Sequence, residues 1–326
     1  MMLALCAEIE ACNSGARFTI VGRRNAGLIA DLALAYPSIK IIPIQKNIFG
    51  LCTLLWNSFK KPYVVLMPAA FGKSSFLNTR NFFALLRFRP GLRTYGLLKN
   101  AQEPDPYDAS LIYDIHAQHF DNMRRLARLG GLAVKPDGSA IDFKIRDAVS
   151  YKPPFERGTY IVFHAFGSSS YKSFPPRRCR ELLLKLIDRY PTLSFVMTGG
   201  SENKNQAEEI SAGLPRIALA LNLPVLELAA LIKQSALYMG VDTGPTHVAG
   251  MLKKESIVLT HNMGPSWKPE YNPNAVMLTN DARCICDGDK GTDCLVSEDG
   301  LPYLRCLYDI TDAQILEAVA HFISHA

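Results

Sequence analysis

Between Asp31 and Glu103 the sequence contains no acidic residue, although ten basic ones fall in that interval, including Lys60, Lys61, Lys73, Arg80, Arg87, Arg89 and Arg93. Residues 1–150 hold 19 Lys and Arg against 11 Asp and Glu, and the remainder holds 17 against 19. A half of one sign suits an anionic partner: a phosphorylated acceptor, a membrane surface or a nucleic acid. A solvated basic face accounts for it equally well. Also missing is any apolar run near the ~20 residues that cross a bilayer. The apolar opening, Met1 to Cys12, is short, is interrupted by Glu8 and Glu10, and has no basic residue before it. That argues against a secretory signal and for a cytoplasmic location. Low-complexity tracts and solenoid repeats are absent too.

What remains is a chain of 326 residues, 48% hydrophobic and 20% charged, enough for two globular domains. Short β-rich runs alternate with amphipathic stretches. Phe18–Val21, Ile39–Ile44, Tyr63–Met67 and Arg93–Leu98 read as strands. Asn25–Ala35, Ile48–Phe59, Phe76–Phe88 and His116–Leu129 read as helices. Residues 3–13 also read as a helix, with no strand before it, where a doubly wound domain ordinarily opens on a central strand. Val149–Gly158, with two prolines, is the candidate linker. The alternation then restarts. Tyr160–His164, Leu193–Thr198, Ile217–Ala220, Leu237–Val241 and Ser256–Thr260 are strands, interleaved with helices, and Thr311 caps a closing helix. The expectation is two α/β domains, 1–150 and 151–326, with a parallel sheet in each and a ligand cleft between them. The last helix is a candidate to pack back on the first domain.

Four features carry chemistry. In Tyr238–Ala249 an apolar strand runs into Asp242-Thr243-Gly244, and a helix follows with Pro245 near its start and His247 in its first turn. Gly244 permits close backbone approach, and the free N–H groups of the helix start favour an anion. The alternative is a tight turn in which Asp242 and Thr243 merely cap the helix. In Phe163–Pro175 a strand ends in a Gly/Ser loop with Ser168 and Ser169, then Lys172, then a proline-led helix. This is a workable diphosphate clamp, though without Walker A spacing. Gly199-Gly200 ends another strand, where open α/β sheets place ligands, and Glu202 follows as a candidate ribose ligand. Last come Cys284, Cys286, Cys294 and Cys306, amid Asp and Gly. Four thiols suit a tetrahedral zinc or iron site, with free thiols or disulfides as alternatives. The acidity of that segment (Asp281, Asp287, Asp289, Asp293, Glu298, Asp299) argues against a nucleic-acid partner. Cys6, Cys12, Cys52 and Cys179 read as structural thiols.

Asp242-Thr-Gly-Pro-Thr-His247, the loop from His164 to Lys172-Ser-Phe-Pro175, Gly199-Gly200 and Cys306-Leu-Tyr-Asp-Ile-Thr311 together resemble glycosyltransferase family 9, the ADP-heptose:lipopolysaccharide heptosyltransferases. The resemblance runs along essentially the whole chain and is densest over residues 160–260. It implies a GT-B fold: two Rossmann-like domains facing across a cleft, with the nucleotide-sugar donor bound by the C-terminal one. It also implies inverting transfer without a catalytic metal or other cofactor. Lys172 would neutralise the departing diphosphate with help from Ser168 and Ser169. Asp242, Thr243, Gly244 and His247 would hold the pyrophosphate and sugar, Glu202 would meet the ribose and Leu223 would line the base pocket, with Gly199, Gly200 and Pro245 also in the donor site. The donor would be ADP-heptose or another nucleotide diphosphate sugar. The acceptor would be an anionic glycolipid of the lipopolysaccharide core, met at the inner membrane surface.

One departure stands out. Family members open with a strand and a Gly-Asp loop whose Asp serves as general base, and this sequence begins at the helix that follows. The N-terminal domain is therefore expected to lack its first strand, and its sheet to have an empty or refilled slot. No replacement base is evident. Three accounts fit: a fragment, a truncated relative that still binds donor, or a noncatalytic binding or assembly protein.

Overall fold

The computed structural model describes residues 2–13, 15–22, 38–43, 63–67, 92–98, 101–102, 105, 107–114, 117, 119–134, 151–261, 272–280 and 294–323. The chain divides into two compact units, Met1–Ile141 and Asp142–Ala326.

In the first unit, α1 (Met2–Cys12) precedes β1 (Phe18–Gly22), β2 (Ile39–Pro43), β3 (Tyr63–Met67), β4 (Leu92–Leu98), β5 (Ala109–Ile112) and α2 (His119–Leu129). Residues 2–12 are thus helical and form no strand. Among the described residues the strands make two separate parallel sheets, β1–β2 and β3–β4–β5. The helices expected at Asn25–Ala35, Ile48–Phe59 and Phe76–Phe88 lie outside the described residues, as do Cys52 and nearly all of the basic stretch. Leu5, Cys6 and Ile9 are buried on α1, and burial pushes the Cys6 thiol up to about 12. Cys12, expected to be packed, is exposed instead, because it sits on the last turn, past the buried face. Glu8 is buried beside these apolar residues. Its carboxylate accepts three hydrogen bonds from the Arg124 guanidinium of α2, at 2.8 to 3.1 Å, and that guanidinium lies over the Phe120 ring. The pair satisfies a charge that could not otherwise be buried.

The second unit is built on one six-stranded parallel sheet. Its strands are β6 (Tyr160–His164), β7 (Ser194–Gly199), β8 (Ile217–Leu221), β9 (Leu237–Val241), β10 (Ser256–Leu259) and β11 (Ala275–Leu278), in the order β11-β10-β9-β6-β7-β8. Every residue of β6, β9 and β10 is buried, as continuous apolar runs covered on both faces should be. The chain moves outward from β6 through β7 to β8, then returns to place β9 on the other side of β6. The strand order therefore reverses between β6 and β9, where open α/β sheets form their ligand crevice.

Helices α3 (Pro176–Arg189), α4 (Lys204–Ser211), α5 (Val225–Gln234) and α6 (Gly244–Met251) connect these strands. A hairpin unforeseen from the sequence follows: β12 (Leu295–Glu298) and β13 (Leu301–Leu304), joined through Asp299 and Gly300, both at positive φ. An Asp-Gly pair at that position is the turn such two-residue hairpins prefer. After it come α7 (Arg305–Tyr308) and α8 (Asp312–Ile323). Thr311 caps α8 as expected: its Oγ1 accepts the Gln314 N–H, and Gln314 Oε1 accepts the Thr311 N–H. Helix α8 packs on β10 and β11 of its own unit. No described helix is long and apolar enough to cross a membrane.

Candidate donor site at the strand reversal

The loops that leave β6 and β9 carry the two motifs singled out in the sequence, so the fold brings them to adjacent strands. The β6 loop is closed on itself. The Phe174 N–H donates to the Ala165 carbonyl at its neck (2.8 Å). Ser173 Oγ accepts the Gly167 N–H (2.9 Å) and donates to the Ser169 carbonyl (3.1 Å). Ser170–Lys172 form a single 3-10 turn at the tip. Gly167 is required here, because a Cβ on it would stand 2.6 Å from the Lys172 carbonyl oxygen. Lys172 is half-buried and makes no salt bridge among the described residues. The buried Ser169 Oγ has no hydrogen-bond partner among them either, an uncommon state for a buried hydroxyl. Ser168 is exposed at the loop's outer edge.

At the end of β9, the reading of Thr243 as a side-chain helix cap does not hold. Thr243 occupies the cap position of α6 but makes no side-chain cap, and its Oγ1 turns back to the Val241 carbonyl (3.2 Å). Asp242 Oδ1 lies 3.8 Å from His247 Nε2. Pro245, in the first turn, has no N–H to give. The Thr243 side chain therefore leaves the opening N–H groups of α6 unclaimed, and the positive end of the helix dipole lies there, an arrangement that attracts anions. Gly244 is exposed and faces open space, so a ligand can approach its backbone. The turn is anchored from beneath. Thr246 is buried, donates to the Val241 carbonyl (2.6 Å) and pairs with the buried Tyr238 hydroxyl (3.0 Å).

The remaining candidates extend along the same edge of the sheet. Gly199 and Gly200 end β7, next to β6, and the Glu202 carboxylate folds over Gly200. Leu223 follows β8, where Asn222, at φ 55°, donates its N–H to the Gly199 carbonyl (2.7 Å). The order along the edge is Leu223, then Gly199, Gly200 and Glu202, then Ser168, Ser169 and Lys172, then Asp242 to His247.

The family model described as glycosyltransferase family 9 (heptosyltransferase) matches residues 131–294. The chain belongs to glycosyltransferase family 9. Over 173 residues it is 27% identical to lipopolysaccharide heptosyltransferase 1 of Campylobacter coli, which is 50% of this chain and 50% of that protein. The match thus spans about half the length of that curated relative. Among solved structures, E. coli heptosyltransferase WaaC with ADP has a TM-score of 0.68 at 15% identity, covering 98% of this chain and 94% of that one. E. coli ADP-heptose lps heptosyltransferase II gives 0.65 at 17%, covering 99% and 94%. A family 9 glycosyl transferase from Veillonella parvula DSM 2008 gives 0.70 at 16%, covering 100% and 94%. At these identities the likeness establishes the fold, an α/β fold of the GT-B class.

Two features of this family 9 chain go beyond the sequence reading or differ from it. His164 ends β6 at the strand reversal and is buried, with Nδ1 3.0 Å from Thr198 Oγ1 on β7. Burial lowers its pKa to about 4, which leaves the ring neutral near pH 7. The signal, a histidine closing an apolar strand just before the Gly/Ser loop, was present in the sequence. Of the cysteine quartet, Cys284 and Cys286 lie outside the described residues. Cys294 and Cys306 are buried in one core with Phe174 and Cys179. Among the described residues no three potential metal ligands come together.

Proposed function

We propose that this chain binds a nucleoside diphosphate sugar, ADP-heptose or a close relative, along this edge and transfers the sugar to an acceptor of the lipopolysaccharide-core type. The observation that carries the reading is the convergence, on neighbouring strands at the reversal, of a helix start that Thr243 does not cap and a half-buried lysine without a salt bridge among the described residues. Each suits one end of a diphosphate. The order of the other candidates matches a nucleotide sugar laid lengthwise: base at Leu223, ribose at Glu202, diphosphate at Lys172 and the opening of α6, sugar by Asp242 and His247. In the reaction the acceptor oxygen bonds to the anomeric carbon from the face opposite the diphosphate. The bond to the diphosphate oxygen breaks, and the acceptor proton passes to a base or to water. The chain's contribution is electrostatic. Charge growing on the leaving diphosphate meets the Lys172 ammonium and the α6 N–H groups, held in place beforehand.

A second reading is a donor-binding protein without turnover: Glu8, on α1, is committed to the buried pair with Arg124 and is not available to take the acceptor proton. The basic first half suits an anionic glycolipid at a membrane surface. The four late cysteines would hold a structural zinc or iron, with no part in the chemistry.

Calorimetric titration of ADP, UDP and GDP tests the site, and release of ADP from ADP-heptose tests turnover. Binding of one diphosphate, weakened in Lys172→Ala by ~1.5–3 kcal/mol, is the expected result for a charge-assisted contact. Unchanged affinity in Lys172→Ala removes that residue from the site. Binding without ADP release favours the second reading.

A further inference from the structure

The Lys172 turn is too small to hold itself. It has three residues, none of them buried. Its inner side is fixed by the closed loop described above. Its outer side is covered by β13 of the C-terminal hairpin, which packs directly against residues 170–172 from more than a hundred residues away in sequence. What holds the hairpin there is visible in the contacts of Arg178, on the first turn of α3.

The Arg178 guanidinium lies over two aromatic rings, 5.1 Å from the Phe174 centroid and 5.7 Å from that of Tyr308. Phe174 closes the Lys172 loop and is buried, and Tyr308 ends the helix that follows the hairpin. Edge-on, the same group donates Nη1 to the Tyr308 carbonyl and Nη2 to the Ile310 carbonyl (2.7 Å) and to Asp312 Oδ1 (2.9 Å). Asp312 is also held by Lys185 (2.6 Å). A planar fork with several donors and two stacking faces makes these contacts at once, and a lysine ammonium cannot. Tyr303, Leu304, Cys306 and Leu307 are buried on the segment so anchored.

We propose that Arg178 is a positioning residue for the donor diphosphate: by clamping the segment 303–312 to the start of α3, it presses the β12–β13 hairpin against the Lys172 turn and sets where the lysine stands. The proposal rests on the reading of Lys172 as a phosphate ligand.

The test takes Arg178→Lys in the full chain through two measurements. Hydrogen exchange, followed by mass spectrometry, should quicken about tenfold in the peptide over residues 165–174 and stay unchanged over β7 and β8. A merely stabilising role would quicken all three together. ADP affinity should fall about tenfold, as when the support behind a ligating residue is removed. The same substitution added to Lys172→Ala should cost nothing further. If Arg178→Lys does not fold, Asp312→Asn removes one charged acceptor of the fork and should shift both readouts the same way, about threefold. Unchanged exchange at 165–174, or a loss of ADP affinity that persists in full on the Lys172→Ala background, overturns the proposal. Quickened exchange in a chain that binds no nucleoside diphosphate leaves the clamp standing and removes the donor reading instead.

Discussion

The two turns that form the candidate site are supported in opposite ways. The β9 turn is held from within its own motif. Val241, Tyr238 and Thr246 fall inside nine consecutive residues, and their hydrogen bonds fasten the start of α6 to the strand that feeds it. The β6 turn is held partly by its own loop and partly by a hairpin and a helix end near the C-terminus, through Arg178. Local support resists changes elsewhere in the fold, whereas distant support ties the lysine to the packing of a remote segment. A ligand that needs both turns therefore depends on two contact sets of different range.

The largest effect should come from Gly167→Val, which attacks the inner support of the β6 turn. The new side chain meets the Lys172 backbone at 2.6 to 2.7 Å, and backbone cannot step aside as a flexible side chain would. The turn must shift by something near an ångström, enough to cost on the order of 100-fold in the function of an oriented group. Titration of ADP reads this, and wild-type affinity would show that the turn's position is immaterial. Stability should fall as well, by about 1–3 kcal/mol, the usual cost of overpacking.

Thr246→Val makes the matching attack on the β9 turn and should act more locally. The hydroxyl it removes serves both the Val241 carbonyl and the Tyr238 hydroxyl, and the latter is left buried without its partner. A stranded buried polar group costs about 1–3 kcal/mol. Tyr238→Phe in the same chain removes the stranded group, so the double variant should be more stable than Thr246→Val alone. Urea denaturation of the three variants measures this, and strictly additive losses would mean the two hydroxyls are not coupled.

This difference in range also decides what could be read in the sequence. Strands β6 and β9, helix α5 and the Asp242–His247 turn were legible because their signals are local: apolar runs of five, Pro at a helix start, Gly at an open turn. Thr243 was legible as the residue that precedes the helix but not in its conformation, since a threonine before a helix ordinarily caps it. Arg178 was invisible, because its carbonyl acceptors lie 130 and 132 residues away and carry no side-chain signature. The hairpin was missed although Asp299-Gly300 announced it, because the surrounding cysteines and acids suggested a metal loop. Glu8 could not be placed either, its partner Arg124 lying 116 residues on.

The smallest effect concerns His164, which ends β6 beside β9 at the strand reversal. Burial depresses its pKa from 6.5 to about 4, and the same holds for His119 in the first unit. For a histidine held neutral by the fold, the unfolded chain binds more protons between those values. Stability contributed by keeping the ring neutral is therefore fully present above pH 6.5 and is lost as pH falls toward 4. Within that window each such histidine steepens the loss by about 1 kcal/mol per pH unit. His164→Phe should remove one share of the slope for the second unit and leave the share of His119. Stability curves of the two chains at intervals from pH 7.5 to 4.5 should then converge on acidification. Parallel curves would mean that the imidazole titrates alike in the folded and the unfolded chain, so that burial does not hold it neutral.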